Sequence, residues 1–465
     1  MNQHFVRRWL VVSIFVAVAT QSALAQEVYD KEESAERPAA VATSGTRPSY
    51  PGLPRGAQAT RVETEIGQVK VRLYGSILFN SAWSDTGLVG QEVPLWPLPD
   101  SNTVTFPDGT VGRQGNIHDL VFTMRQSIVG LTLNPAKPSA NGWNPSALLE
   151  MDFFGARTAD NFLTGNRVFN QPRLRLGYFQ LERKSLKVVF GQDKMILAPL
   201  DPISLSHVGV PLGASAGDLW GWFPQVRVDW SHKIGSTGVL FQAGIFRPQF
   251  GDTRLEAIPA SGSVFDNTSG LGERSSTPFY QGRIAVTPKV GASTATFGVS
   301  AHFGQEKIGV NRNLQSWAVA VDMRVPVTRY AILRAEGFAG SNLVPFQGGV
   351  IQGAAVLGTR IQRIGSGGGW VELIVPMNAG KDTWYFGAGT DDPKNSNLLP
   401  GSGRAKNSFL WASYFRKLTN DVTLAAEWSY WDFKTVQFQN NDPTRRVNAT
   451  AGTANVINIS LAYQF

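Results

Sequence analysis

Apolar and polar residues alternate in sixteen runs between residues 69 and 465, and this rhythm limits the possible folds more than any other feature of the sequence. Alternation with a period of two places successive side chains on opposite faces of a β-strand. The gaps between runs are long and short by turns, which gives eight longer loops and seven shorter turns. An even number of strands joined in this way is typical of an outer-membrane barrel. We therefore predict an all-β fold, a 16-stranded antiparallel transmembrane β-barrel over residues 69–465.

The last run, residues 455–465, ends on an aromatic residue, with Leu461, Tyr463 and Phe465 on its apolar face. In hydrocarbon every backbone polar group needs an internal partner, so the first and last strands of a barrel must pair. The last strand would then end at the membrane interface, where aromatic side chains form a girdle. These three residues also resemble the assembly signal of bacterial outer-membrane proteins, which implies recognition by the barrel-assembly machinery.

Residues 1–25 have the three parts of a secretory signal peptide. Arg7 and Arg8 make the first part positive, residues 9–19 are apolar except for one serine, and residues 23–25 read Ala-Leu-Ala, a typical cleavage site. A membrane anchor is the alternative, but the apolar part is too short to span a bilayer comfortably. We predict that this segment is removed on export to the outer membrane.

Composition narrows the remaining possibilities. Residues 26–68 mix charges and prolines without apolar periodicity, which predicts a flexible periplasmic segment. The formal net charge is +8, or 8 − 2 = +6 without the two arginines of the signal segment. The basic residues are scattered rather than clustered, so nucleic-acid binding is not expected. Cysteine is absent, so disulfides cannot stabilise this exported chain.

Four short runs follow one another as they do in the DcaP-like trimeric porins, and the chain resembles that family. The runs are LEMDFFG (149–155), QPRLRLGYFQL (171–181), VVFGQDK (188–194) and PQVRVDW (224–230). The resemblance implies a homotrimer of sixteen-stranded barrels, surrounded by outer-membrane lipid and lipopolysaccharide, that takes up small anionic solutes such as dicarboxylates. Family members often carry an N-terminal coiled coil, and residues 26–68 show no heptads that would form one.

The third long gap, residues 193–223, contains MILAPL, VGVPLG and WGWF. Loops normally run over the surface in water, and this one is too apolar for that. In porins the third loop folds into the lumen and narrows it, and we predict the same here. Asp201, His207 and Asp218 would then point toward the pore. The alternative is that the apolar groups cover the barrel mouth or a subunit contact.

Placing the apolar face of each strand outward turns a set of charged side chains toward the lumen. Arginine suits the binding of carboxylates because it can donate two parallel hydrogen bonds. Some of these charges would pair across strands, as Arg125 could with Glu150 or Asp152. The predicted pore-lining residues are Arg72, Arg125, Arg173, Arg175, Arg227, Arg283, Arg324, Arg334, Glu150, Asp152, Asp201 and Asp218.

These features together predict a porin for passive diffusion of small hydrophilic, anionic solutes. A general, weakly selective porin is the main alternative. An outer-membrane hydrolase is the rival from another class, because residues 213–217 read G-A-S-A-G and match the G-x-S-x-G motif of a nucleophile elbow. That motif requires a following helix, which the pattern does not predict.

No cofactor or metal site is predicted from the histidines. Beyond the signal segment none of them is spaced as H-x-x-x-H. These histidines are His118, His207, His232 and His302.

Overall fold

A closed antiparallel barrel of sixteen strands forms the body of the protein. The computed structural model describes residues 62–465 except 91, 138–140, 156–170, 251–268, 292, 329, 359, 440 and 441. The barrel strands are β1 (Val69–Ser84), β2 (Asp119–Thr123 and Ile128–Pro135), β3 (Asn144–Gly155), β4 (Gln171–Arg183), β5 (Leu186–Lys194), β6 (Trp222–Ile234), β7 (Thr237–Phe246), β8 (Phe279–Thr287), β9 (Thr296–Gly309), β10 (Arg312–Thr328), β11 (Ala331–Ser341), β12 (Gly365–Met377), β13 (Asp382–Pro393), β14 (Arg404–Lys417), β15 (Val422–Gln439) and β16 (Asp442–Gln464).

The barrel closes where β1 pairs with β16, in register from Ser76 with Gln464 to Ser84 with Val456. Beyond this register, the backbone N–H and carbonyl of Phe465 both bond to Gly75, each over 3.1 Å. The predicted pairing of the first and last strands is therefore confirmed.

A further strand, Val62–Ile66, pairs antiparallel with the first residues of β1, from Leu73 to Val69. It covers the part of the β1 edge that lies beyond the end of β16. This strand falls inside the segment predicted to be flexible, so regular structure begins before residue 69. The signal-peptide prediction and residues 26–61 lie outside the described residues.

Side chains alternate between the two faces of each strand as the sequence predicts. On β16 the outward Ile457, Ile459 and Leu461 are exposed to the membrane side, whereas Asn458 and Ser460 are buried inside the barrel. Each strand thus presents an apolar surface to lipid and a mixed surface to the lumen. No helix in the described residues is long and apolar enough to cross a bilayer.

Two predicted loops are wrong in extent. The sequence suggested loops over residues 304–314 and 434–453, but β9 and β10 are joined at residues 310–311, and β15 and β16 at residues 440–441. In both hairpins the strands keep pairing past the apolar band. Polar residues interrupt the alternation there and leave only scattered apolar side chains, such as Leu314 and Val436, so the pattern no longer marks these residues as strands.

Short elements decorate the connections at the loop end of the barrel, the end that carries the longer loops. The first loop (residues 85–118) holds two small hairpins, Leu88–Val89 with Trp96–Pro97 and Thr103–Thr105 with Val111–Arg113. The sixth loop (residues 342–364) holds a third, Ala354–Leu357 with Arg360–Arg363. Single helical turns at this end occur at Gln114–Asn116, Leu271–Arg274, Val344–Phe346, Gly348–Ile351 and Asn395–Asn397. At the opposite end, a helical turn at Asn378–Gly380 lies between β12 and β13, and a fourth small hairpin, Lys289–Val290 with Ser293–Thr294, lies between β8 and β9.

Three apolar clusters lie inside the barrel, and each includes at least one buried leucine from the third loop (residues 195–221), such as Leu197, Leu205 and Leu212. Fully burying such a side chain stabilises a fold by about 1.5–3 kcal/mol. The wall residues around these leucines include Phe279 and Phe338, Ile374 and Phe415, and Phe409 and Trp431, respectively. The core of this barrel is therefore built by the third loop and the inner wall together.

Candidate functional site

The third loop lies inside the barrel, which confirms the prediction made from its apolar composition. None of residues 195–221 is exposed, and only Pro199, Leu200, Ile203 and Val210 are half-buried. A segment this deeply buried must have partners for its backbone polar groups, and the inner wall supplies them.

The first half of the loop is hydrogen-bonded to side chains of strands β8 to β12. Backbone N–H groups within residues 196–203 donate to Gln281 on β8 over 3.1 Å, to Glu336 on β11 over 3.0 Å and to Glu372 on β12 over 2.7 Å. Carboxylates that accept backbone N–H groups make stronger hydrogen bonds than neutral acceptors do. These contacts hold the loop along one side of the inner wall.

The second half is held by Gln126, which turns inward where β2 is interrupted. Its amide nitrogen donates to the Ser206 carbonyl over 2.8 Å, and its amide oxygen accepts from Val208 over 2.8 Å and Gly209 over 2.9 Å. The Ser206 hydroxyl also lies 2.9 Å from the Ser460 hydroxyl on β16. The loop thus follows the inner wall from β8 round to β2.

The loop's own charged residues lie against the wall. The Lys194 ammonium pairs with Asp201, and His207 lies 3.0 Å from Glu427 on β15. Asp218 forms no ion pair among the described residues, and burial, helped by the nearby carboxylates of Asp201 and Glu336, raises the pKa of Asp218 well above its usual value. Asp201, His207 and Asp218 thus lie inside the barrel, buried rather than free in a channel.

Arg173 and Arg175 on β4 form the densest polar cluster with Glu150 and Asp152 on β3. Arg173 donates two hydrogen bonds to Asp152, over 3.1 and 2.6 Å, and Arg175 pairs with Glu150 over 2.8 Å and Asp152 over 3.1 Å. Both guanidinium groups also donate to the loop backbone at residues 208–209, over 2.7 and 2.9 Å. The cluster therefore joins the wall to the middle of the third loop.

Arg125 has a different partner from the two that the sequence suggested. Glu150 and Asp152 bind the β4 arginines, and Arg125 pairs instead with Glu92 of the first loop. Its guanidinium lies over the Phe154 ring, 3.8 Å from the centroid. Strand neighbours could not reveal this pair, because Glu92 reaches the lumen from a loop.

Most of the other predicted pore-lining bases also have carboxylate partners. Arg227 pairs with Asp193 and Asp229, Arg283 with Asp322, and Arg334 with Glu372. Arg72 lies opposite Glu63 of the N-terminal strand, away from the third loop, and no ion pair of Arg324 is found within the described residues.

The two partners of these ion pairs are unequally exposed. The Arg173 side chain is 28% exposed and its partner Asp152 is 0% exposed, while Arg125 is 16% exposed and Glu92 1%. Lys194, at 23%, likewise exceeds Asp201, at 6%. The pairs of Arg283 and Arg334 follow the same order, and that of Arg227 with Asp193 reverses it. The accessible end of most pairs is therefore the base.

The serine of the G-x-S-x-G match is part of the packing of the third loop. The Ser215 hydroxyl donates to the Leu95 carbonyl over 2.8 Å, and no histidine bonds to it in the described part of the chain. Asp218 follows it after a tight turn rather than a helix. In the same part of the chain, no group of three His, Cys, Asp or Glu side chains could hold a metal ion.

Comparison with solved structures identifies the fold. The outer membrane channel DcaP of Acinetobacter baumannii matches with a TM-score of 0.59 at 14% identity, over 88% of this chain and 99% of that one. OmpF of Salmonella typhi, in complex with daunomycin, matches with 0.51 at 11% identity, over 87% and 100%. An anion-selective porin from Comamonas acidovorans matches with 0.50 at 12% identity, over 86% and 100%.

The chain has the fold of an outer-membrane porin. The resemblance to DcaP-like porins is confirmed at the level of the fold. The sequence matches no protein-family profile and no curated protein.

Several residues of this porin-type lumen could not be found from the sequence. Gln281 is a polar residue on β8 and Gln126 lies at the interruption of β2, and nothing in the alternation distinguishes either from other inward residues. Glu92 lies in a long loop whose path is not encoded by a period. Glu372 occupies an inward position between apolar neighbours on its strand. Because burying an unpaired carboxylate is costly, this position was a signal in the sequence for a specific partner.

Proposed function

We propose that the protein is a porin of the bacterial outer membrane that passes small hydrophilic, anionic solutes, such as dicarboxylates, by passive diffusion. The observation that carries the proposal is the unequal exposure of the ion pairs around the third loop. Bases such as Arg173 and Lys194 reach solvent in the lumen, while their carboxylate partners are buried behind them.

This arrangement favours anions even where the pairs are neutral overall. A solute in the lumen comes closer to the guanidinium than to the carboxylate behind it, and Coulomb energy falls with distance. A narrow passage with low-dielectric walls strengthens such a field and raises the local concentration of anions. Binding must remain weak enough for the solute to leave, as in other charged pores.

The same proposal includes export by the N-terminal signal segment and insertion guided by the terminal strand. The apolar outward face of the barrel suits outer-membrane lipid and lipopolysaccharide, and closure of the β1–β16 seam leaves no free edge at membrane depth. We include assembly as a homotrimer, which the DcaP-like resemblance implies. The proposed role involves no catalysis.

A weakly selective porin is the second candidate, and one observation favours it. Among the described residues, eight lumenal bases pair with eight carboxylates, so the charges within these pairs balance. If the pairs screened each other completely, charge would influence permeation little. The two candidates differ in the sign and size of the reversal potential under a salt gradient.

The test is the reversal potential of the purified full chain in planar bilayers under a KCl gradient. Anion preference in the wild type, shifted toward cations by Arg173→Gln, supports the proposal. The control is Arg360→Ala, which removes an exposed base from the sixth-loop hairpin. Heat-modifiable migration on gels confirms that each variant is folded. Cation preference in the wild type at low salt would refute the anionic proposal, and absence of conductance would refute the porin.

A further inference from the structure

The first loop carries a carboxylate from the loop end of the barrel into the lumen. Glu92 lies between two small strands of this loop, and its side chain is 1% exposed. It pairs with Arg125, the neighbour of Gln126, which binds the middle of the third loop. Every other carboxylate that pairs with a predicted pore-lining arginine is on a barrel strand. Glu92 can therefore leave its arginine without any change in the barrel wall.

The pair is incomplete on the carboxylate side. One oxygen of Glu92 bonds to Nε of Arg125, and the other oxygen is buried and has no hydrogen-bond partner among the residues that the structure describes. Arg173, by contrast, binds Asp152 through two hydrogen bonds. Arginine and carboxylate pair most strongly through two parallel bonds, and a buried polar atom without a partner is costly. A carboxylate free to orient itself would match Arg125 better than Glu92 does.

Near Glu92 the first loop is held by packing, with Leu88 in the cluster around Leu212 and Trp96 stacked on Phe433 of β15, and by hydrogen bonds. The Leu95 carbonyl accepts hydrogen bonds from the Ser215 hydroxyl and, over 2.6 Å, from the Asn407 amide. Further along, the Asp100 N–H donates to the Ala451 carbonyl over 2.7 Å. These contacts attach the first loop to the third loop and to strands β14 and β16. The position of the first loop is therefore coupled to that of the third loop inside the lumen.

We propose that Glu92 is a built-in ligand of Arg125, and that the carboxylate of a passing solute displaces it to occupy the same guanidinium. The Phe154 ring, 3.8 Å below the guanidinium, keeps Arg125 in place during the exchange. Glu92 lowers the affinity of the site, which lets an anion leave the lumen as readily as it enters. This inference rests on the proposed uptake of anions and names the residue that limits their binding.

The experiment measures succinate binding to the detergent-solubilised full chain by calorimetry, with wild type, Glu92→Gln and Asp108→Asn. Asp108 is the matched control, because it is an exposed carboxylate of the same loop that bonds only to Thr110 among the described residues. We expect Glu92→Gln to bind succinate about tenfold more tightly, which corresponds to ~1.4 kcal/mol. Asp108→Asn should bind as the wild type does.

A second pair of variants separates competition from a general charge effect. Glu92→Gln made in an Arg125→Gln background should leave succinate affinity unchanged, because the shared arginine is gone. An equal gain in both backgrounds, or no gain in the single variant, would overturn the inference.

Calorimetry reads binding without conduction. A protein that conducts without anion preference therefore refutes the proposed function. The effect of Glu92→Gln on succinate affinity is a separate result, and it tests the role of Glu92 whatever the conductance shows.

Discussion

Replacing Gln126 with alanine should release the third loop from the side of the barrel where β1, β2 and β16 meet. This side chain makes three buried hydrogen bonds to the loop backbone, at 2.8, 2.8 and 2.9 Å. One buried hydrogen bond contributes about 1 kcal/mol, so the loss is about 3 kcal/mol. The Ser206 carbonyl keeps one weak donor, Asn80, over 3.4 Å. The ratio of docked to detached loop should therefore fall about 100-fold.

Single-channel recording in planar bilayers gives the readout for this change. A loop that detaches more often should raise the mean conductance and add fluctuations between two levels. Gln180→Ala is the matched control, because Gln180 is a buried glutamine of β4 for which no hydrogen bond to the third loop is found within the described residues. Conductance and noise of folded Gln126→Ala equal to those of Gln180→Ala would show that Gln126 does not anchor the loop.

Three further predictions concern assembly and stability. A Cβ on Gly75 would lie 2.4 Å from the Ile128 carbonyl oxygen and 2.7 Å from the Phe465 ring, so Gly75→Val, like deletion of Phe465, should lower the yield of heat-modifiable barrel while export continues. Lys187→Met removes one of the two bases that pair with the buried Asp229, which keeps Arg227 at 3.0 Å, and should cost about 1.5–3 kcal/mol in urea unfolding, so an unchanged urea midpoint would contradict it. The raised pKa of Asp218 means that the folded state binds its proton more tightly than the unfolded chain, so this contribution to stability is greatest at low pH and is lost as pH rises through the raised pKa. Asp218→Asn should reduce the fall of the urea midpoint with rising pH. An unchanged dependence of the midpoint on pH would show that another group causes it.

The sequence predicted the parts of this structure that depend on local periodicity. Alternation identified the strands and their faces, because burial on one side of a sheet imposes a period of two. The apolar composition of residues 195–221 predicted their inward fold, because such a segment is unstable in water. Partner choice was not predictable in this way. Arg125 pairs with Glu92 only because the first loop returns into the lumen, and that path depends on contacts far apart in the chain.

Strand ends were missed for a related reason. The outer parts of β15 and β16 are mostly polar, with few apolar side chains such as Val436 to mark a face, and their pairing depends on the hairpin already formed below them. Strand propensity and periodicity describe single segments, so they do not account for the stabilisation that one part of a hairpin receives from the part already paired. Likewise, the interruption of β2 that turns Gln126 inward has no glycine or proline to mark it.

The seam between β1 and β16 has a consequence for how the chain reaches its folded state. Asn80 and Ser460 hydrogen-bond across it, although they are 380 residues apart in the chain. Contacts of such high sequence separation form slowly, because the entropy of closing the chain is lost before the pairing is gained. Until the ends meet, the growing sheet has two unpaired edges that can pair with other chains. The yield of folded barrel should therefore depend mainly on whether the two unpaired strand edges are kept from pairing with other chains before the barrel closes. The stability of the closed barrel should matter less for that yield.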